Sequence, residues 1–169
     1  LPNNNICLSF GDYNAGQIYF TSSNDLGVTW QPQTAIPVNA STNLLITKVV
    51  SHSGFNHLGI VSHQPHQDVA DVYYSASTDG GNTWQSQLIG PGASLGEGVI
   101  DNSGNVHVIF NQDVAGAFQL NYRYSTDLGI TFSPSVNLIS MPAYTSPTTE
   151  GEYQSIFLGS DNLLHVTFI

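Results

Sequence analysis

Positive charge is nearly missing from this chain of 169 residues. Lysine and arginine number 2 against 12 aspartates and glutamates, for a formal net charge of −10. That balance argues against nucleic acid and anionic membranes as partners, since both are held by lysine and arginine on phosphate. Cysteine is just as scarce. Cys7 has no second cysteine to pair with, so no internal disulfide forms and the redox compartment stays open. No apolar run is long enough to span a membrane, and no signal peptide is read in the chain. Helical periodicity is absent too, while turn signals recur roughly every eight to twelve residues, as in all-β folds. Asn, Ser, Thr and Gln are abundant where Lys is not, from which a secreted or cell-surface protein is expected. Asn39-Ala40-Ser41 forms a glycosylation sequon. The chain starts at Leu1 and stops inside a strand-like segment, 163–169, so a piece of a longer or processed protein is expected.

What is present is one eight-residue phrase, three times: Ser23 to Trp30, Ser77 to Trp84 and Ser125 to Phe132. Its form is Ser-x-Asp-x-Gly-x-Thr-(Trp/Phe), with starts 54 and 48 residues apart. A period near fifty is that of a β-propeller blade or a comparable β-repeat. The physics is that of a hairpin clasp. Asp25, Asp79 and Asp127 can accept backbone N–H bonds from the turn ahead, and Gly27, Gly81 and Gly129 supply a backbone angle other residues avoid. The hydroxyls of Ser23, Ser77, Ser125, Thr29, Thr83 and Thr131 can bond the same turn, and Trp30, Trp84 and Phe132 are expected to re-enter a core. A catalytic group is needed once and a clasp in every repeat, so these aspartates are expected to be structural. The phrase resembles the Asp-box (BNR) repeat of sialidases and related propellers. That resemblance is specific for the repeat and not for function, because such blades also occur in xyloglucanases, sorting receptors, assembly factors and non-catalytic proteins.

Aligning the three boxes predicts an all-β, sialidase-like Asp-box β-propeller of about three four-stranded blades in one domain, 1–169. The repeats run approximately 6–56, 57–106 and 107–164, with a further strand at 165–169. By strand, the reading is second-third-fourth, two complete blades, then first-second. Third strands are expected at 17–21, 71–75 and 118–122, fourth strands at 30–36, 84–89 and 132–139, and innermost strands at 45–50, 98–101 and 153–158. Such a segment leaves two open sheet edges. Two explanations stay open: missing blades in cis, as in a six- or seven-bladed ring, or self-association through those edges.

The resemblance places ligands at the end opposite the boxes, where second-to-third-strand loops meet blade crossings. Asp12, Tyr13, His63, His66, Gln112, Tyr144 and Glu150 are the expected ligand-binding face. Glu97, Glu152, Asp68 and Asp113 are the acid–base candidates, because carboxylates beside aromatics suit a sugar site. His63, His66 and Asp68 are weak metal candidates by spacing, and no cofactor is expected. His57, His107 and His165 read as equivalent, structural residues opening second strands. Sialidases are implied to need three arginines, and Arg123 is the one arginine here. The expected function is therefore recognition of a glycan or protein ligand, without sialidase competence in this segment. The alternative is part of a glycoside hydrolase, sialidase-like or specific for neutral sugars, with its remaining catalytic residues in other blades. A purely structural module is a third reading.

Overall fold

The computed structural model describes residues 5–12, 15–38, 46–52, 56–63, 71–142 and 154–168. Among these described residues, thirteen strands form four antiparallel sheets. The first sheet orders β1 (Ile6–Asp12), β2 (Gln17–Ser23) and β3 (Thr34–Ile36). The second is β4 (Ile46–Ser51), β5 (Leu58–His63), β6 (Val72–Ser77) and β7 (Gln85–Gly90). The third is β8 (Ala93–Ile100), β9 (Val106–Val114), β10 (Ala117–Ser125) and β11 (Val136–Pro142). The last pairs β12 (Gln154–Leu158) with β13 (Leu164–Phe168). Chain neighbours are sheet neighbours throughout, so each sheet is an up-and-down meander. Fourth strands begin later than the alignment predicts, at Thr34, Gln85 and Val136, because the end of each box is still turn. The innermost β8 begins earlier, at Ala93, and carries a bulge between Ser94 and Gly96 with Leu95 at φ 50°.

Successive sheets stack face to face. All six residues of β5 are buried, because sheets lie on both of its faces. One core joins Val61, Val72, Tyr74 and Ile89 of the second sheet to Ala93, Ile100, Val108 and Phe110 of the third. A second joins Ile18, Phe20 and Ile36 to Leu58 and Ile60, and a third joins Ile109 and Leu120 to Ile156. At the box end, side chains link three β-hairpins in series. His52 Nε2 meets Asn102 Oδ1 at 3.0 Å, and Asn102 Nδ2 donates to Asn162 Oδ1 at 2.6 Å.

Every box closes in the same way. Ser23 Oγ donates to Asp25 Oδ1 at 2.7 Å and accepts the Gly27 N–H at 2.8 Å. Asp25 then accepts the Thr29 N–H at 2.8 Å and the Thr29 hydroxyl at 2.6 Å. Ser77, Asp79, Gly81 and Thr83 repeat this set, as do Ser125, Asp127, Gly129 and Thr131. Two consecutive residues take left-handed backbone: Leu26 and Gly27, Gly80 and Gly81, Leu128 and Gly129.

The box also docks one sheet on another. Three residues before each box serine stands an aromatic, Phe20, Tyr74 or Tyr122. Trp84 of the second box packs on Phe20 of the first sheet, with ring centroids 5.0 Å apart. Phe132 of the third box packs edge-on to Tyr74 of the second sheet at 5.4 Å. The box glycine presses on the same ring: a Cβ on Gly81 would stand 2.1 Å from Phe20, and one on Gly129 2.2 Å from Tyr74. Trp30 departs from the expected re-entry into a core. No sheet precedes the first box among the described residues, and Trp30 is 43% exposed.

This geometry separates two otherwise alike substitutions. Gly27→Ala meets only ordinary contacts and is expected to cost about 1–2 kcal/mol from its left-handed backbone. Gly129→Ala adds the Tyr74 collision and should cost about 1–3 kcal/mol more, the usual range of overpacking. Urea unfolding of both variants measures the difference.

Candidate functional site

The three box carboxylates belong to three different sheets and are consumed by their own turns. Each is held at about 2, first by the threonine hydroxyl, then by the threonine N–H and the serine hydroxyl. A carboxylate so lowered stabilises the fold fully above its ordinary value, and that contribution is lost as pH falls towards 2.

The opposite end carries the second-to-third-strand turns and the crossings between sheets. Asp12 ends β1, and its Oδ1 accepts the Ala15 N–H at 3.1 Å. Asp113 does likewise for the Gly116 N–H at 3.0 Å, in the two-residue turn Ala115-Gly116 where both φ values are positive. Gln112 Nε2 donates to the Pro91 carbonyl at 2.8 Å, and Asp71 Oδ1 accepts the Gly92 N–H at 3.0 Å. Together they tie down the β7–β8 crossing. Glu97 forms an ion pair with Lys48, joining the innermost strands of two sheets. Gly96 and Gly98 flank it without side chains, which lets β8 lie flat on Val61 and Val72.

His63 closes β5 and is 6% exposed. Burial pushes its imidazole down to about 4. Its Nδ1 accepts the Gly96 N–H at 3.2 Å. In a neutral ring the other nitrogen then carries the proton, so Nε2–H is a buried donor, and it has no partner among the described residues. That tautomer offers a metal no lone pair at Nε2. Among the described residues, no group of three or more His, Cys, Asp or Glu could hold a metal ion. From the other side, Gln154 Nε2 donates to the Leu95 carbonyl. The β8 bulge is thus gripped by the sheet before it and the sheet after it. Gln154 Oε1 and Asn111 Oδ1 are buried there without partners among the described residues. Asn111 stands in β9 where His63 stands in β5, five residues along the register from the box serine's partner.

Of the sequence-predicted residues, Asp12, His63, Gln112 and Asp113 are placed at this end, whereas Glu97, expected in a crossing, lies midway along β8 opposite Ile109 because that strand begins at Ala93. Tyr13, His66, Asp68, Tyr144, Glu150 and Glu152 lie outside the described residues. Lys48, Asp71 and Gln154 were not foreseen, although Lys48 stands out as the only lysine. The histidines need correcting. His107 and His165 share a register, but His57 precedes β5 by one residue, and Gly59 takes the matching place. Gly59 gives way to the Tyr74 ring, since a Cβ there would stand 2.0 Å from its hydroxyl. His57 Nε2 then meets that hydroxyl at 3.0 Å, as His107 Nδ1 meets Tyr122 at 2.8 Å. Arg123 lies opposite Val108 in β10, partly buried, with Nε unpartnered among the described residues.

No protein-family model matches the sequence, and no curated protein does. Solved structures do. The NanB sialidase from Streptococcus pneumoniae, in complex with 2-[(3-chlorobenzyl)ammonio]ethanesulfonate, aligns over 98% of this chain with TM-score 0.61 and 17% identity. A structure titled NanB plus Optactamide aligns over 98% with TM-score 0.60 and 16% identity. The chain spans 26% of each of those chains. At such identity the likeness is one of fold: this is an all-β, sialidase-like propeller segment.

Two pH windows follow. A histidine lowered by burial destabilises as pH falls from 6.5 to about 4, because the unfolded chain binds the proton first. His63→Asn, borrowing the residue at the matching place in β9, should flatten the stability slope there. Asp79→Asn should instead flatten the slope between about pH 4 and 2. Chemical denaturation at stepped pH reads both.

Proposed function

We propose that this propeller segment recognises a ligand, a glycan or protein of neutral or cationic character, at the end opposite the boxes. The observation that carries this reading is that the described carboxylates at that end are already engaged. Asp12, Asp71 and Asp113 accept turn or crossing N–H bonds, and Glu97, midway along β8, is paired with Lys48. Glycoside hydrolysis needs two available carboxyl groups about 5–10 Å apart, one of them holding a proton. Carboxylates spent on turns and an ion pair suit a rigid acceptor surface better. The deficit of positive charge favours the same class of ligand, since an anionic sugar would find one arginine, Arg123, in the third strand of its sheet. Secretion or surface display fits that surface.

Glycan-array binding with sub-millimolar titration calorimetry on the hits is the test. Binding of neutral glycans is expected, with no release of chromophore from neutral or sialic acid glycosides. Turnover that Glu97→Gln abolishes would instead make the segment part of a hydrolase.

A further inference from the structure

The seam between the second and third sheets is fastened at its two ends by different chemistry. At the box end, Gly129 and Phe132 sit on Tyr74, and the Ser125 hydroxyl holds the Gly129 N–H at 2.8 Å. Asp127 completes that clasp and stays ionised down to about pH 2. At the other end His63 reaches from β5 to the β8 bulge, where its Nδ1 accepts the Gly96 N–H. The bulge is a weak point of its strand. Its ladder to β9 is interrupted between Ser94 and Gly96, and Leu95 takes left-handed backbone, which a leucine adopts only at a cost.

His63 can hold Gly96 in one protonation state only. A neutral ring presents Nδ1 as an acceptor, whereas a protonated ring carries N–H on both nitrogens and sets donor against donor. Nε2–H already lacks an acceptor among the described residues. The charged and titratable groups on the elements packed around it are otherwise engaged. Lys48 of β4 and Glu97 of β8 pair with each other. Asp71, just before β6, accepts the Gly92 N–H and the Tyr73 hydroxyl, and Tyr74 of β6 meets His57. β7 and β9 turn Ile89, Val108 and Phe110 to this seam, while Asp113 of β9 holds the Gly116 N–H.

We propose that acid opens this seam from one end: protonation of His63 releases the β8 bulge while the boxes of both sheets stay closed. The device is independent of which ligand, if any, that end binds. Burial lowers the closed-state imidazole to about 4, and release returns it towards its ordinary 6.5. Opening therefore becomes easier as pH falls from 6.5 to about 4 and gains little below that. Over that range the linkage raises the open population by about a hundredfold. The box aspartates hold throughout, since their contribution is lost only as pH falls further, towards 2.

Amide hydrogen exchange at about pH 7 and about pH 4, expressed as protection over the intrinsic rate, tests this on wild type and His63→Asn. The reference amides are Gly81 and Gly129, which donate to Ser77 and Ser125 at the box ends of the same two sheets. In wild type, protection at Gly96 should fall by about a hundredfold on acidification, while Gly81 and Gly129 change by no more than a few-fold. In His63→Asn the amide oxygen takes the place of Nδ1 and does not titrate, so Gly96 should keep its protection at both pH values. Should that variant fail to fold, the wild-type contrast between Gly96 and the two box glycines decides. Protection at Gly96 that ignores pH, a loss shared equally by Gly81 and Gly129, or the same loss in His63→Asn overturns the proposal.

Discussion

A glycine and an aromatic ring of the second and third boxes, each set on the aromatic of the sheet before it, orient the first three sheets of this stack. Within one sheet, backbone pairing and the serine–aspartate–threonine clasp suffice to form hairpins. They do not say which surface the hairpin faces. The ring pairs Phe20–Trp84 and Tyr74–Phe132 do, each contributing about 0.5–1.5 kcal/mol beyond the area buried. The close approach at Gly81 and Gly129 explains why glycine stands there twice over: the backbone is left-handed and the ring leaves no room for a Cβ. At Trp30, where no receiving sheet lies among the described residues, the same phrase keeps its hydrogen bonds and stays partly exposed.

A consequence reaches the opposite end of the molecule. Stacking brings Gly96 and Gly98 flat on Val61 and Val72, which sets His63 and Gln154 on either side of the β8 bulge and Glu97 beside Lys48. The polar groups of that end thus serve the seams between sheets before they can serve a ligand. Among the described residues, the buried side-chain atoms left without partners near that seam are His63 Nε2, Ser62 Oγ, Asn111 Oδ1 and Gln154 Oε1. Acid–base chemistry would need freer carboxylates.

Much of the fold was legible because the clasp is local. Ser, Asp, Gly and Thr at fixed offsets act within eight residues, so strand order and the partial first and last sheets could be read by aligning the boxes. The docking aromatics were legible too, at a constant three residues before each serine, though only stacking reveals what they receive. Leu26 and Leu128 concealed that the fourth box position is also left-handed, which Gly80 alone betrays. His57 looked equivalent to His107 because both adjoin the start of a second strand. A six-residue connection in place of a five-residue one shifts the register, and the Tyr–His pair is rebuilt across Gly59.

The sequence by itself determined the repeat, its period and the hairpin at each box, since these rest on bonds between residues close in the chain. Only the tertiary structure decided that the box is a docking surface and that Glu97 and His63 are committed to neighbouring sheets. Those facts depend on contacts between residues far apart in the chain, as Lys48 is from Glu97, His63 from Gly96 and Phe20 from Trp84. Such separations leave no local pattern, and rigid stacking of sheets is what brings the partners together.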